Sequence, residues 1–358
     1  MNKNSIITDE LITVCSQDTP SIIQKIPNNI PDQDLSIKRI QSEVAPQMQE
    51  MEDLLCKLLC AQLFFIGFIK GKKFVKTELK AEIGLIDLYY GWLEESIAVL
   101  ERKSYLYRDG NSYTVNIVPP DVDAVWHEWN NEKGRWLNNP DLKFHVALVE
   151  STMQALPDIL TGKQLATDVI FPNSSMKLVS GIYKNNLVAD YFNGVLADSV
   201  LSYIQEIVKQ NASARVRILE IGAGTGGTSQ LVFAKLRGYQ SHIQEYCYTD
   251  ISKAFLIQAE KEFGADNSYL TYKTFNVEAQ ISGQGIDAGT YDIVIAANVL
   301  HATRNIRQTL RNAKAALKKN GLIVLNEISN NSIFIHLTFG LLKGWWIYED
   351  PALRIEGC

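Results

Sequence analysis

The segment Ile218-Leu219-Glu220-Ile221-Gly222-Ala223-Gly224-Thr225-Gly226-Gly227-Thr228 joins an apolar run, an acid and a glycine-rich bend. Thr228-Ser229-Gln230-Leu231-Val232-Phe233 follows and is able to open a helix. A strand, a turn without side chains and a helix N-terminus bring backbone N–H groups close to a bound ligand. The glycines at 222, 224 and 227 have dinucleotide-fingerprint spacing, which fits NAD and S-adenosylmethionine (SAM) alike. Glu220 separates the two. A carboxylate buried beside a pyrophosphate repels it, whereas it pairs, directly or through water, with the cationic methionine end of SAM.

Asp250 closes the second predicted strand, where an acid accepts both ribose hydroxyls; its competing role is to cap the helix predicted from Ser252 to Phe263. Asn276, at the end of the third predicted strand, is suited to hydrogen-bond an adenine amino group. The cofactor-binding set read from the chain is Glu220, Gly222, Gly224, Gly226, Asp250, Asn276 and Asn298, the last opening the loop after strand four. That loop reads Asn298-Val299-Leu300-His301-Ala302-Thr303, and strand five runs into Leu325-Asn326-Glu327-Ile328. Strands four and five are neighbours in such a sheet, so His301 and Glu327 are expected side by side as a catalytic dyad. A neutral imidazole oriented by a carboxylate takes a proton from carbon or oxygen near neutral pH. The structural alternative is a histidine capping the sheet edge and a glutamate holding a loop.

The elements that must position these groups alternate from about residue 215. Strands are predicted at Val216–Ile221, Tyr246–Thr249, Tyr272–Val277, Tyr291–Ala296 and Leu322–Leu325, with a helix over Asn305–Lys318 stopped by Asn320-Gly321. Strict alternation implies an α/β core with a parallel sheet and helices on both faces, and a site beyond the carboxyl ends of the strands. The preceding region differs. Residues 1–40 show no period and read as a flexible N-terminal tail; 41–200 read as a mainly helical domain, and 201–358 as the nucleotide-binding core. Within the helical domain, Tyr105 to Val115 reads as two short strands around Asp109-Gly110, which gives a winged-helix-like outline. Breaks are expected at Pro140, Pro157 and Pro172, and packing roles for Trp126, Trp129 and Trp136.

Composition narrows the function classes. The 358 residues are 46% hydrophobic and 21% charged with a net charge of −5, ordinary for a globular protein and without the basic tract of a nucleic-acid binder. Glu94, Glu95 and the neighbouring aromatics point the winged-helix-like region towards packing, not DNA. The five cysteines form no CxxC pair, and Cys56 and Cys60 read as small core residues in a reducing cytoplasm. Leu58 to Ile69 is the most apolar stretch, interrupted by Gln62 and too short to span a bilayer, so no membrane association is expected. His127, His145, His242 and His336 are scattered, and no metal site is expected.

Taken together, the chain resembles the C-methyltransferase domains of modular polyketide synthases over roughly residues 45–358. The resemblance rests on Leu219 to Thr228, on Asn298-Val299-Leu300-His301-Ala302-Thr303 with Asn305-Ile306, on Leu325-Asn326-Glu327-Ile328, and on Leu337-Thr338-Phe339-Gly340-Leu341-Leu342 with Gly344-Trp345-Trp346. It implies a class I SAM-methyltransferase (Rossmann-like) core preceded by a helical lid. The activity implied is methylation of the α-carbon of a β-ketoacyl thioester carried on a phosphopantetheinylated acyl carrier protein, with other synthase domains as partners. The family's catalytic His and Glu map onto His301 and Glu327. Phe339, Trp345, Trp346 and Tyr348 then either wall an acyl tunnel or form a helix core, and Ser329, Asn330 and Asn331 are candidates for the phosphopantetheine approach. Two departures stand out: no antiparallel strand pair is readable after strand five, and Asn276 occupies a position where an acid is common. The alternatives are O-methylation of a polyketide intermediate, an inactive structural domain of a synthase, and NAD-dependent oxidoreduction; no separate catalytic domain follows the nucleotide fold to support the last.

Overall fold

A computed structural model describes residues 20–31, 34–75, 84–329 and 332–354. They divide into two compact units. The first holds the described parts of Met1–Gln33, Ala189–Leu300 and Asn305–Glu327; the second those of Asp34–Val188, His301–Arg304 and Ile328–Cys358.

The second unit is mainly helical. Helix Ala45–Phe65 buries Met51, Leu54, Leu55, Leu58 and Leu59, the spacing of one helical face. Asp121 caps helix Val122–Leu137 by accepting from the Ala124 N–H at 2.9 Å. Trp129 and Trp136 are fully buried with ring centroids 5.3 Å apart, as their packing role requires. Cys56 and Cys60 are buried, and burial pushes both thiols up to about 12, out of reach of redox chemistry at neutral pH. A small antiparallel sheet is built from β1 (Lys73–Val75), β2 (Leu106–Asp109) and β3 (Ser112–Val115) in the order β1-β3-β2. The hairpin read around Asp109-Gly110 is β2–β3; β1 has no alternating pattern long enough to read.

Two sequence expectations fail in this unit for identifiable reasons. Pro157 lies inside helix Lys143–Leu160 without breaking it. A proline at 157 removes the N–H that would bond the Met153 carbonyl; Gln62, the polar interruption of the apolar stretch, donates to that carbonyl instead, at 3.4 Å. The Gly344-Trp345-Trp346 stretch is a turn following a 3₁₀ segment, Phe339–Leu341, and not a helix. Asn330 and Asn331 lie outside the described residues.

The first unit is a five-stranded parallel sheet, β4 (Val216–Ile221), β5 (Ile243–Asp250), β6 (Leu270–Thr274), β7 (Tyr291–Ala297) and β8 (Leu317–Asn326), in the order β6-β5-β4-β7-β8. The order reverses between β4 and β7, the switch point at which such sheets bind ligands. Period-two alternation sorts the strands between two cores. Ile218, Ile293, Ile295 and Tyr246 pack with Val200, Ile204, Val232 and Phe233 on one face. Leu219, Ile221, Val294 and Cys247 pack with Ala313 and Ala316 on the other. Strand three ends at Thr274, earlier than expected, because its partner β5 ends at Asp250 and the ladder ends with it. Helix Ile306–Ala315 also stops early: the Ala315 carbonyl accepts from Gly289 and the Ala316 carbonyl from Tyr291, tying it to the start of β7. Among the described residues no strand follows β8. Residues 20–29, expected as a flexible tail, form a helix. Ile22 and Ile26, one turn apart, are buried in the first core, Lys25 pairs with Glu206 at 3.2 Å, and Asn29 donates to Ser202 at 3.0 Å.

Truncating a residue at the centre of this sheet tests the burial argument. Leu219→Ala removes a fully buried side chain and is expected to lower the unfolding free energy of the sheet unit by about 3 kcal/mol, measured by urea denaturation.

Candidate active site

Every polar group read as a cofactor contact belongs to the sheet unit, and all but Glu220, which lies within β4, fall at or just beyond the carboxyl end of a strand. The glycine bend leaves β4 with Gly222 and Gly224 in left-handed conformations, φ 61° and 55°. At Gly222 a Cβ would sit 2.2 Å from Val299 Cγ2, so this glycine lets the loop after β7 pack against the bend. At Gly224 a Cβ would meet nothing closer than the Gly222 carbonyl at 3.8 Å. A side chain there would fill the open cradle in front of the loop, and its absence suits close approach of a cofactor. Gly226 is the N-cap of helix Gly227–Leu236, whose N-terminus therefore follows directly from the bend.

Glu220 does not lie open at the loop. Alternation turns it to the same face as Ile218, where it is 1% exposed and its Oε2 accepts from Ser229 Oγ at 2.6 Å and Tyr246 OH at 2.7 Å. Burial pushes its carboxyl up to about 7, opposed by the hydrogen bonds from Ser229 and Tyr246 and reinforced by the negative charge of Asp250. It is a negative or protonatable group set behind the glycine bend and braced by the first turn of the helix that follows.

Asp250 combines its two expected positions. Oδ2 accepts from the Gly224 N–H at 3.0 Å and Oδ1 from the Ser252 N–H at 2.8 Å, so one carboxylate spans the glycine bend and the start of helix Lys253–Phe263. Burial raises its pKa against the hydrogen bonds from Ser252 and Gly224. Ile251, next in the chain, is 68% exposed. Its apolar side chain stands open directly after the strand-ending acid. Asn276 lies two residues beyond β6 and not at its end. Its Oδ1 accepts from the Glu278 N–H at 3.0 Å while Gln284 brackets its backbone, at 2.9 Å to N and 3.0 Å to O. Asn298 leaves β7 in the left-handed region, φ 54°, which asparagine tolerates, and its N–H donates to the Asn326 carbonyl at 2.7 Å.

Glu327 follows β8. Its Oε1 accepts from the backbone N–H groups of Val299 at 3.1 Å and Leu300 at 2.8 Å, across the ends of neighbouring strands β7 and β8. The carboxylate thus holds the loop that leads into His301, which is the structural alternative raised for a glutamate here. His301 itself sits in the 3₁₀ turn Leu300–Ala302, and residues 301–304 pack in the helical unit. There the Trp345 ring stands edge-on to the imidazole, centroids 5.5 Å apart and planes at 63°. Phe339 and Trp345 are buried in that unit's core. Two histidines of this unit are buried, and burial pushes His145 down to about 4 and His336 to about 3. Among the described residues no group of three metal-ligating side chains occurs, and no helix is long and apolar enough to cross a membrane.

Two substitutions test this geometry. Gly222→Ala is strained in φ and collides with Val299; it is expected to cost about 2 kcal/mol or more, read as a lowered denaturation midpoint. Glu220 has a folded pKa of about 7, above the ordinary glutamate value of about 4.3. Its contribution to stability is therefore fully present below the ordinary value and is lost as pH rises through the folded one. The Tm of Glu220→Gln relative to wild type is expected to rise between pH 5 and pH 8, a window of about 3 units followed by thermal denaturation.

The chain matches, over residues 219–323, the sequence family described as a methyltransferase domain. It is 60% identical over 311 residues to polyketide synthase PksR of Bacillus subtilis, an alignment covering 87% of this chain and 12% of PksR. The chain thus spans only a small part of the length of such curated relatives. Among solved structures, the DszA carbon methyltransferase superposes with a TM-score of 0.84 at 31% identity, over 93% of this chain and 84% of that one. The trans-methyltransferase CalH, solved in complex with SAH, superposes with a TM-score of 0.64 at 25% identity, over 89% of this chain and 81% of that one. A parallel sheet with its glycine bend at the switch point, and likeness along almost the whole chain to a carbon methyltransferase, place this protein in the family of polyketide synthase C-methyltransferase domains, enzymes of the SAM-dependent fold that transfer a methyl group.

Proposed function

We propose that the chain methylates the α-carbon of a β-ketoacyl thioester carried on the phosphopantetheine arm of an acyl carrier protein, working in the cytoplasm beside other synthase domains. The observation that carries this reading is the Glu327 carboxylate on the Val299 and Leu300 N–H groups. It organises the strand-end loop that delivers a histidine immediately after the cofactor-facing residues.

The residues around the cradle fit SAM. Gly224 leaves room for close approach, Asp250 is suited to the ribose hydroxyls, Ile251 to the adenine face and Asn276 to its amino group, with Glu220 a favourable field for a cation. When bound, SAM supplies an electrophilic methyl group. The residues of this chain supply the rest. His301 takes the α-proton, which is acidic because a ketone and a thioester flank it. Glu327, the other member of the proposed dyad, fixes the loop that leads into His301. The enolate left behind would be the acceptor for that methyl group, so the protein's main tasks are to orient two partners and to exclude water; Phe339, Trp345, Trp346 and Tyr348 are the aromatic residues for the second task. Ser329 is the described residue suited to meet the phosphopantetheine arm.

His301→Ala is expected to abolish methyl transfer, a loss of about 100-fold or more, while SAM affinity in calorimetry stays close to that of the unaltered chain. Intact-mass analysis of acetoacetyl-carrier protein should show the gain of one CH₂. A gain confined to β-hydroxyacyl carriers would replace C- by O-methylation, and calorimetry showing NADH but not SAM binding would end the assignment.

A further inference from the structure

The turn that carries His301 has an unusual anchor inside the helical unit. The side chain of Arg354 is buried, 6% exposed, and each of its three guanidinium nitrogens donates to a different acceptor. Nε donates to Asp350 Oδ1 at 2.5 Å, Nη1 to the carbonyl of His301 at 2.5 Å, and Nη2 to the carbonyl of Thr303. The Tyr348 ring lies 5.1 Å from the guanidinium carbon, and the Glu349 N–H donates to the Arg304 carbonyl at 2.8 Å. With Trp345 against the imidazole, the stretch 345–354 contacts the ring of His301, its carbonyl and the carbonyls of Thr303 and Arg304.

A buried cation is tolerated only when its charge is paired and its donors are filled. Asp350 meets the first requirement. The second is met by two carbonyls of a segment some fifty positions away. Those carbonyls themselves need donors: a single 3₁₀ turn ends without intrahelical partners for its last C=O groups. The planar fork of arginine matches two acceptors two residues apart, and a lysine ammonium does not. The imidazole is thereby set from two directions, its backbone by the guanidinium and its ring by Trp345.

We propose that Arg354 is a positioning residue for His301: by tying the His301 and Thr303 carbonyls it holds the imidazole in a single orientation. The assignment of His301 as the base belongs to the function proposed above, and the role of Arg354 rests on it.

The test uses the full chain with ring-labelled histidine. The five histidines are assigned by single substitutions. Arg354→Lys keeps the charge and removes the fork. It is expected to broaden or split the His301 ring signals and leave those of buried His145 and His336 unchanged. It should also lower kcat for methylation by about 10- to 100-fold with KM for SAM nearly constant. Guanidinium ion, added to Arg354→Ala at a non-denaturing concentration, is expected to restore part of kcat and the single His301 signal. Unchanged His301 signals in both variants would overturn the proposal. So would a shift of all five histidines together, which marks a general structural role. If the unaltered chain fails to methylate the carrier-bound substrate, the proposed function falls, and the His301 signals still report whether Arg354 orients that ring.

Discussion

A parallel strand covered by helices on both faces has nowhere to put a polar side chain except its ends. That constraint organises the sheet unit. β4 and β7 are almost entirely buried, so the groups able to meet a cofactor collect beyond their carboxyl ends, where the strand order reverses between them. Glu220 shows what an exception requires. It lies within β4, and its carboxyl is accommodated by two hydroxyls, Ser229 and Tyr246, and by a pKa raised to about 7. The bond from Ser229 also fixes the first turn of the helix leaving the glycine bend, so the buried acid and the ligand loop are one structure.

The same economy of polar groups recurs in the loops. Asp250 joins the glycine bend to the following helix through one carboxylate. Glu327 joins β8 to the loop after β7, and Gly222 lets Val299 of that loop press against the bend. Asp250 and Glu327 each satisfy two backbone N–H groups that would otherwise be left unpaired. The His301 turn follows this pattern on its other side, with Arg354 filling its terminal carbonyls. Choosing between a structural and a chemical role for Asp250 or Glu327 is therefore a false alternative in geometric terms, since a carboxylate has two oxygens and several lone pairs.

Much of the sheet was legible. β4 was read residue for residue and the next three strands within three positions, because a buried parallel strand is a short apolar run between turn signals; β8 begins at Leu317, five residues before the strand read at Leu322–Leu325. The hairpin announced itself through Asp109-Gly110. What was not legible depended on partners distant in sequence. The helix at Pro20–Asn29 rests on two isoleucines that find a core only after residues near 200 fold beside them. Pro157 stays helical, and the carbonyl it frees is reached by Gln62. Strand three ends where β5 ends, and helix Ile306–Ala315 ends where β7 captures its carbonyls.

The sequence by itself determined the period-two strands, the glycine bend, the acids at 220 and 250, and the placing of His301 and Glu327 just beyond two strands. These follow from local spacing, which sets which side chains share a face and where the backbone turns. Only the tertiary structure decided that Glu220 is buried against Ser229 and Tyr246, that Glu327 binds backbone N–H groups, that Ile251 stands exposed beside the cradle, and that Arg354 grips the His301 turn. Those outcomes depend on which hydrogen-bonding groups are left unpaired once the chain is packed, and no local pattern counts them.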